Sequence, residues 1–419
     1  MTPATLESRH HRVMTRSLKP RKQGELTHAK HRGYIGETWR SYAVCMRLLL
    51  LLALVLSMPG SASAQTAAAK KEPSAYDKVW GKFTEWYSDD TNPIVQRVLL
   101  SGRFHYDFAT IDADQGKNDE WNLRRLRIGP RITLFRKFTF HTEVELDLQR
   151  HDPLYVRFTD FYLQWTKNPR WVLTVGKQSV PFTLDGANSS RELLTIDRSN
   201  LANNMWFPQE YIPGVSVSGR RARWVYRGGL YSSGAANREF GEFTGGLFTL
   251  GMLGFDFAPK LGVKEALLTG NYVYQDPDSE NTFTRQLEHI GSINFRFEDT
   301  KWGARADLST ADGYLGQSGM WAFQGMPFVN LTDKFQIVGR YTFMDSDEPN
   351  GIRLALYESR VVAGKGDEYN ELYVGANYYF YGHKLKLQSG VQFADMNDRA
   401  NDGGEYSGVA WTTGLRVGW

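Results

Sequence analysis

Arginine is concentrated where anions could be handed along. In Leu123-Arg-Arg-Leu-Arg-Ile-Gly129 three guanidinium groups fall within four positions, and Arg131 follows shortly after. Arg125, Arg127 and Arg131 share one parity, while Leu126, Ile128, Ile132 and Leu134 share the other. A strand sends successive side chains to opposite faces, so this spacing predicts a cationic face backed by an apolar one. A guanidinium is permanently charged and presents five N–H donors in a rigid fork, which suits oxyanions. Arg103, one strand earlier, would join the row. Lys384, Lys386 and Arg416 would extend it if the first and last strands pair to close a barrel. Rings of Arg and Lys select anions by field and by donated hydrogen bonds. A competing reading comes from the next segment, where His141, Glu143, Glu145 and Asp147 alternate with Phe140, Val144, Leu146 and Leu148. Opposite charges across strands commonly pair. The arginines are therefore either a ladder for a passing anion or a salt-bridged wall with little net field.

Either role needs strands to hold the groups. About sixteen can be read between residues 98 and 419, and the gaps between them alternate short and long. Arg136, Lys167-Asn-Pro169, Arg220-Arg-Ala222 and Gly382 are short. Residues 110–121, 179–212, 346–368 and 397–406 are long. Short turns at one end and long loops at the other predict an all-β fold, a transmembrane antiparallel β-barrel with periplasmic turns and extracellular loops. Strand-end aromatics such as Trp302, Phe343, Tyr378, Phe380 and Trp419 fit interfacial girdles. Pro130 and Pro327 each remove a ladder donor, and a bulge is one way to absorb Pro130. Arg124 has lipid-face parity but sits at the outer end of its strand, within reach of headgroups.

The final residues, Val409 to Trp419, alternate apolar or aromatic side chains with small or polar ones and end on an aromatic. This resembles the closing strand of outer-membrane barrels, the signal read by the barrel-assembly machinery. Near the other end, Met46-Arg47, the apolar run 48–58 and Ala62-Ser63-Ala64 spell a signal peptide over 46–64. The run is shorter than the ~20 residues a spanning helix needs. Residues 1–45 are then a long n-region or, more simply, the product of a start placed ahead of Met46. The lone Cys45 lies in that leader, so the remaining chain has no thiol for a disulfide or metal. The formal charge of +4 also comes from the leader, whose first 64 residues carry 10 basic and 3 acidic side chains. The rest holds 40 and 43, which argues against a nucleic-acid partner. A mean hydropathy of −0.45 excludes a helical membrane protein but not a barrel, since half of each strand faces a polar lumen. Residues 65–97 form a segment before the barrel, with Tyr76, Val79, Trp80, Phe83, Trp86 and Tyr87 at helical spacing. Such a helix would lie on the inner leaflet, on the barrel mouth or against a neighbouring subunit.

Four stretches carry a family resemblance. Leu123–Gly129 resembles the arginine-rich second strand of the phosphate-selective porin O/P family. Val175-Gly-Lys-Gln-Ser-Val-Pro-Phe182 resembles its fifth-strand exit, Ser189–Ser199 its third extracellular loop, and Tyr378–Leu387 its penultimate hairpin. The resemblance implies an outer-membrane porin of sixteen strands, a homotrimer embedded in lipid, which passes small anions such as phosphate.

In porins the third loop enters the lumen and narrows it. Here that loop spans residues 179–212, and Arg191 and Arg198 are the candidates for the basic group at its constriction. The anion path read from sequence is thus Arg103, Arg125, Arg127, Arg131, Arg191, Arg198, Lys384 and Lys386. The histidines outside the leader, His105, His141, His151, His289 and His383, lack metal-ligand spacing, and no cofactor is expected. A hydrolase would need a nucleophile near the outer rim, and nothing nominates one beside His151 and Asp152. The reading is a porin rather than an enzyme, with a non-conducting scaffold or adhesin as the alternative.

Overall fold

The computed structural model describes residues 74–149, 152–205, 211–232, 246–279 and 285–419. The leader, with its proposed start and cleavage site, lies outside them, as does His151. A single antiparallel sheet closes on itself in sixteen strands. They are β1 (Val95–Ala113), β2 (Gly116–Leu134), β3 (Phe138–Leu146), β4 (Tyr155–Asn168), β5 (Trp171–Ser179), β6 (Tyr211–Arg221), β7 (Trp224–Ser232) and β8 (Leu247–Asp256). Then come β9 (Glu265–Gln275), β10 (Leu287–Glu298), β11 (Trp302–Gly313), β12 (Met320–Asn330), β13 (Phe335–Ser346), β14 (Glu368–Tyr381), β15 (Leu385–Asn397) and β16 (Tyr406–Gly418). Each pairs with its neighbours in sequence, and β16 pairs with β1 from Gly408↔Ala113 to Gly418↔Arg103. Beyond the last pair, Trp419 and Gly102 exchange both backbone hydrogen bonds, at 3.0 and 3.1 Å. Closure leaves β1 and β16 without a free edge along this seam, as a barrel in lipid requires.

Alternation decides the faces. Trp411 and Val409 are exposed on the outer face of β16, while Ala410, Tyr406 and Arg416 are buried inside. The aromatic bands are present: Tyr378 and Phe380 meet edge to face at 4.8 Å, Trp302 lies 4.8 Å from Phe297, and Trp321 lies 5.1 Å from Phe343.

Four local expectations need correction. The stretch 110–121 is not a loop: β1 and β2 run 19 residues each and are joined only by Asp114 and Gln115. At ~3.3 Å per residue they far outreach the membrane, so the hairpin projects from it. Pro130 and Pro327 are absorbed without bulges, because pairing skips two rungs beside each and resumes in register. A bulge does occur at Arg124: His105 pairs with Arg125 and Tyr106 with Leu123, leaving Arg124 as the extra residue. The extra residue reverses its parity, and Arg124 turns inward to Asp197 at 3.3 Å. Finally, the helical spacing before the barrel ends sooner than expected. Helix α1 spans Ala75–Thr84, capped by Ser74 and Asp77 in a reciprocal box. Trp86 and Tyr87 instead belong to a short strand, Glu85–Ser88, that pairs with β1 at residues 97–99, just past the end of β16.

Helix α1 packs on the turn-end rim of the barrel at this seam. The Trp80 indole donates to the Gly418 carbonyl at 2.8 Å, Phe83 meets Trp419 edge to face, and Tyr76 stacks on Tyr381.

Two loops occupy the loop end of the lumen. The segment between β5 and β6 brings Phe182, Leu201 and Met205, the last two on the short helix α2 (Asn200–Met205), against wall residues Phe248, Val273 and Met344. The segment between β13 and β14 adds Ile352, Leu354 and Tyr357 to the same buried cluster. Burying each such apolar side chain is worth about 1.5–3 kcal/mol, so both loops are held by packing as well as polar contacts.

The lumen constriction and the family it identifies

The β1, β2 and β3 charges meet in the lumen as carboxylate-bridged pairs. Glu143 on β3 accepts from Arg103 at 3.2 Å, from Arg191 at 3.1 Å and from the Ser101 hydroxyl at 2.5 Å. Glu145 accepts from Arg127 at 3.0 Å and from Arg157 on β4 at 2.8 Å. Arg127 also donates to the Tyr211 hydroxyl at 2.5 Å and lies over its ring. Register explains the pairing, since Arg127 stands directly across from Glu145. Both glutamates are buried, and a buried carboxylate is tolerated only with such partners.

The remaining lumen cations mostly hold the loop between β5 and β6. Arg103 donates to Ser190 at 2.8 Å and Arg191 to Ser101 at 3.0 Å. Lys386 and Gln388 both donate to the Leu193 carbonyl, at 2.6 and 3.1 Å. Arg416 donates to the Ile196 carbonyl at 3.0 Å while paired with Asp107. Arg340 on β13 donates to Thr195 and to the Asp197 carbonyl, both at 3.0 Å, and pairs with Glu371 at 2.6 Å. The loop thus crosses the lumen stitched to β1, β3, β13, β15 and β16.

The eight residues proposed from sequence separate accordingly. Arg103, Arg127 and Arg191 come together around the two glutamates, with Arg125 buried one rung above Arg127, across from His105. Arg198 is turned into its own loop, donating to the carbonyls of Asp185 and Asn188 at 3.0 and 3.1 Å, so it braces the constriction loop. Lys386 is in the wall, fully buried on a loop carbonyl. Lys384 is not: β15 begins at Leu385, and Lys384 sits exposed in the turn, its ammonium 5.0 Å from the Tyr381 ring. Arg131 faces the lumen near the turn end, exposed, with no ion pair among the described residues.

Sequence reading missed a second basic group at the turn end. Arg296 on β10 and Arg305 on β11 are direct register partners, both on the inner face. Arg296 reaches the Leu184 carbonyl at 3.3 Å, and its nearest carboxylate, Glu265, is 4.0 Å away. The Arg305 side chain makes no hydrogen bond or ion pair among the described residues and lies 5.8 Å from the Phe328 ring centre. Inward parity was readable in each strand; their juxtaposition depends on register. Among the described residues, no three His, Cys, Asp or Glu side chains gather as a metal-binding set.

A closed sixteen-strand barrel, its lumen narrowed by an inward loop pinned on paired arginines, has the build of a general porin. The family model for phosphate-selective porin O and P matches residues 98–322. The chain belongs to that family. The porin also resembles solved structures at fold level. The anion-selective porin from Comamonas acidovorans superposes with a TM-score of 0.54 at 13% identity, over 77% of this chain and 99% of that one. OprB of Pseudomonas putida gives 0.56 at 8% identity, over 82% and 96%. Salmonella typhi OmpF gives 0.56 at 9% identity, over 80% and 100%. No curated protein sequence matches the chain. Family and fold together place the porin in the bacterial outer membrane as a channel protein.

Proposed function

We propose that this porin is a passive channel for small hydrophilic solutes with a preference for anions, phosphate-type oxyanions among them, and that it has no catalytic role. The observation that carries the preference is the register pair Arg296 and Arg305. Like charges directly across a sheet repel, and among the described residues this pair has no carboxylate closer than 4.0 Å to quench it. With Arg131 it gives the turn end of the lumen cations that remain available to a passing ion. The β1–β3 arginines play a different part in this reading. Glu143 and Glu145 consume most of their field, so they frame the constriction and fix its width. Association as a homotrimer is the form expected of the family.

Liposome swelling tests the proposal. Vesicles containing the purified mature protein should swell faster in isosmotic potassium chloride than in salts of a bulky anion, and admit small neutral sugars more slowly than chloride. Arg305→Gln should reduce the anion advantage without changing sugar entry. Equal rates for anions and for matched cations would reject anion preference. Failure to swell in any solute would favour the scaffold or adhesin reading.

A further inference from the structure

We infer that the loop end of the lumen carries a capture site for a phosphate-type oxyanion, formed by Arg285, Arg353 and Lys365. The inference rests on the anion-channel reading but uses none of the residues that support it. Arg353 and Lys365 stand directly opposite one another in a two-rung hairpin, Ile352-Arg353 against Lys365-Gly366, within the loop between β13 and β14. Like charges placed so destabilise a hairpin unless something of opposite sign lies between them. Neither side chain makes an ion pair or hydrogen bond among the described residues, although the backbone of Arg353 is well held. Its carbonyl accepts from both Asn200 and Asn204, at 2.9 Å each, and its N–H donates to the Asn204 amide oxygen at 2.9 Å.

The third cation comes from just ahead of β10. Arg285 donates to the Asn203 carbonyl at 2.7 Å, so α2 ties it beside the hairpin. Its Nε is buried with no hydrogen-bond partner among the described residues. A buried guanidinium nitrogen left unpaired is costly, and an oxyanion satisfies it. The electrostatics agree with the geometry. Burial and then the charge of Arg353 push Arg285 down to about 10. Burial, Arg353 and Arg285 in that order lower Lys365. Among the described residues, no carboxylate is one of the groups acting on either of them.

The position sets the source of the ligand. Ile352, next to Arg353, is fully buried in the lumen cluster, so the site belongs to the channel mouth and not to the lipid-facing wall. It meets free solute arriving from outside the cell. Arg353 is exposed and Lys365 half-buried, so an arriving anion can reach both. A tetrahedral oxyanion has enough acceptor oxygens to bridge three cationic donors, which chloride lacks.

Titration calorimetry of inorganic phosphate into the purified mature protein, in lipid-free detergent, tests the site. Saturable binding is expected in the wild type, with Kd raised about tenfold or more by Arg353→Gln and by Lys365→Gln. Lys365→Arg should retain binding, and Lys384→Gln, in the exposed turn before β15, should leave it unchanged. Heat-modifiable mobility reports whether each variant is folded. If Arg353→Gln is not, Lys365→Gln carries the test, since that side chain contributes no hydrogen bond. Unaltered affinity in the folded variants, or no saturable phosphate binding by the wild type, would overturn the site. The two readings separate cleanly. A chloride-selective channel that does not bind phosphate loses the capture site alone. Phosphate binding lost on Lys365→Gln, in a channel that proves cation-selective, keeps the site and removes the anion-channel reading.

Discussion

Arg103 on β1 and Arg191 in the constriction loop share one carboxylate: Glu143 accepts from both, at 3.2 and 3.1 Å. Wall and loop are joined through one buried negative charge. The constriction is therefore a structural joint as well as a charged region of the channel.

Glu143→Gln should separate these two roles. Removing one member of a buried charged group typically costs about 3–5 kcal/mol, so the heat-modifiable transition should move to lower temperature. The same change frees two guanidinium groups, and anion selectivity in bilayers should rise. Lower stability with unchanged selectivity would mean that Arg103 and Arg191 do not face the permeation path.

The loop between β13 and β14 should loosen as pH rises. Burial and the Glu371 carboxylate push Glu358 up to about 7 from an ordinary value of 4.5. The Tyr369 hydroxyl lies 2.9 Å from Glu358 and 3.2 Å from Glu371, and its single proton serves only one of them. A proton on Glu358 completes the second contact. The Ala355 N–H and the Gln392 amide also donate to Glu358, and Arg340 neutralises the far side of Glu371. Because the packed state raises this pKa, it binds the proton more tightly than the released state. Its stability is greatest below about 4.5, declines as pH climbs to about 7, and then levels off. Hydrogen exchange in residues 354–362 should accelerate across that window, and Glu358→Gln should flatten the profile. A flat profile in the wild type would show that the loop is held by packing alone.

Much of this barrel is legible along the chain, for a definite reason. Strand parity alone puts Arg125, Arg127 and Glu145 inside and Leu126, Val144 and Trp411 outside, because a buried charge and an exposed apolar side chain each need a particular medium. Features that depend on register or on one inserted residue are not legible. Arg124 turns inward through a bulge, Lys384 falls one residue short of its strand, and Arg296 meets Arg305 only through the pairing of β10 with β11. The constriction loop was recognisable by length. That Arg198 would brace the loop, while Arg340 and Arg416 reached it from distant strands, depended on a path that no local pattern encodes.

Assembly should depend on the seam. Trp419 pairs by backbone with Gly102, covers the site where a Gly102 Cβ would stand, at 2.6 Å from its ring, and meets Phe83 of α1. Deleting Trp419 should lower the amount of folded barrel in the outer membrane by severalfold and leave the conductance of the assembled fraction unchanged. Trp80→Phe, which loses the hydrogen bond to Gly418 and part of the ring contact with Tyr381, should cost about 1 kcal/mol or more. Wild-type levels of the truncated protein would contradict the seam's role in closure.

The turn-end arginines should govern selectivity more than those at the constriction. Arg131→Gln and Arg305→Gln should each shift permeability away from anions more than Arg127→Gln does, because Glu145 already neutralises Arg127. Arg127→Gln should instead reduce stability by about 3–5 kcal/mol. A larger selectivity loss in Arg127→Gln would restore the arginine ladder on β2 as the conducting element.

The most direct single measurement is the zero-current reversal potential of the purified mature protein in a planar bilayer under a potassium chloride gradient. The account predicts stable conductance with a potential of the sign set by chloride, reduced in Arg305→Gln. A potential of the opposite sign, or a sealed bilayer at protein densities that insert fully, would contradict it.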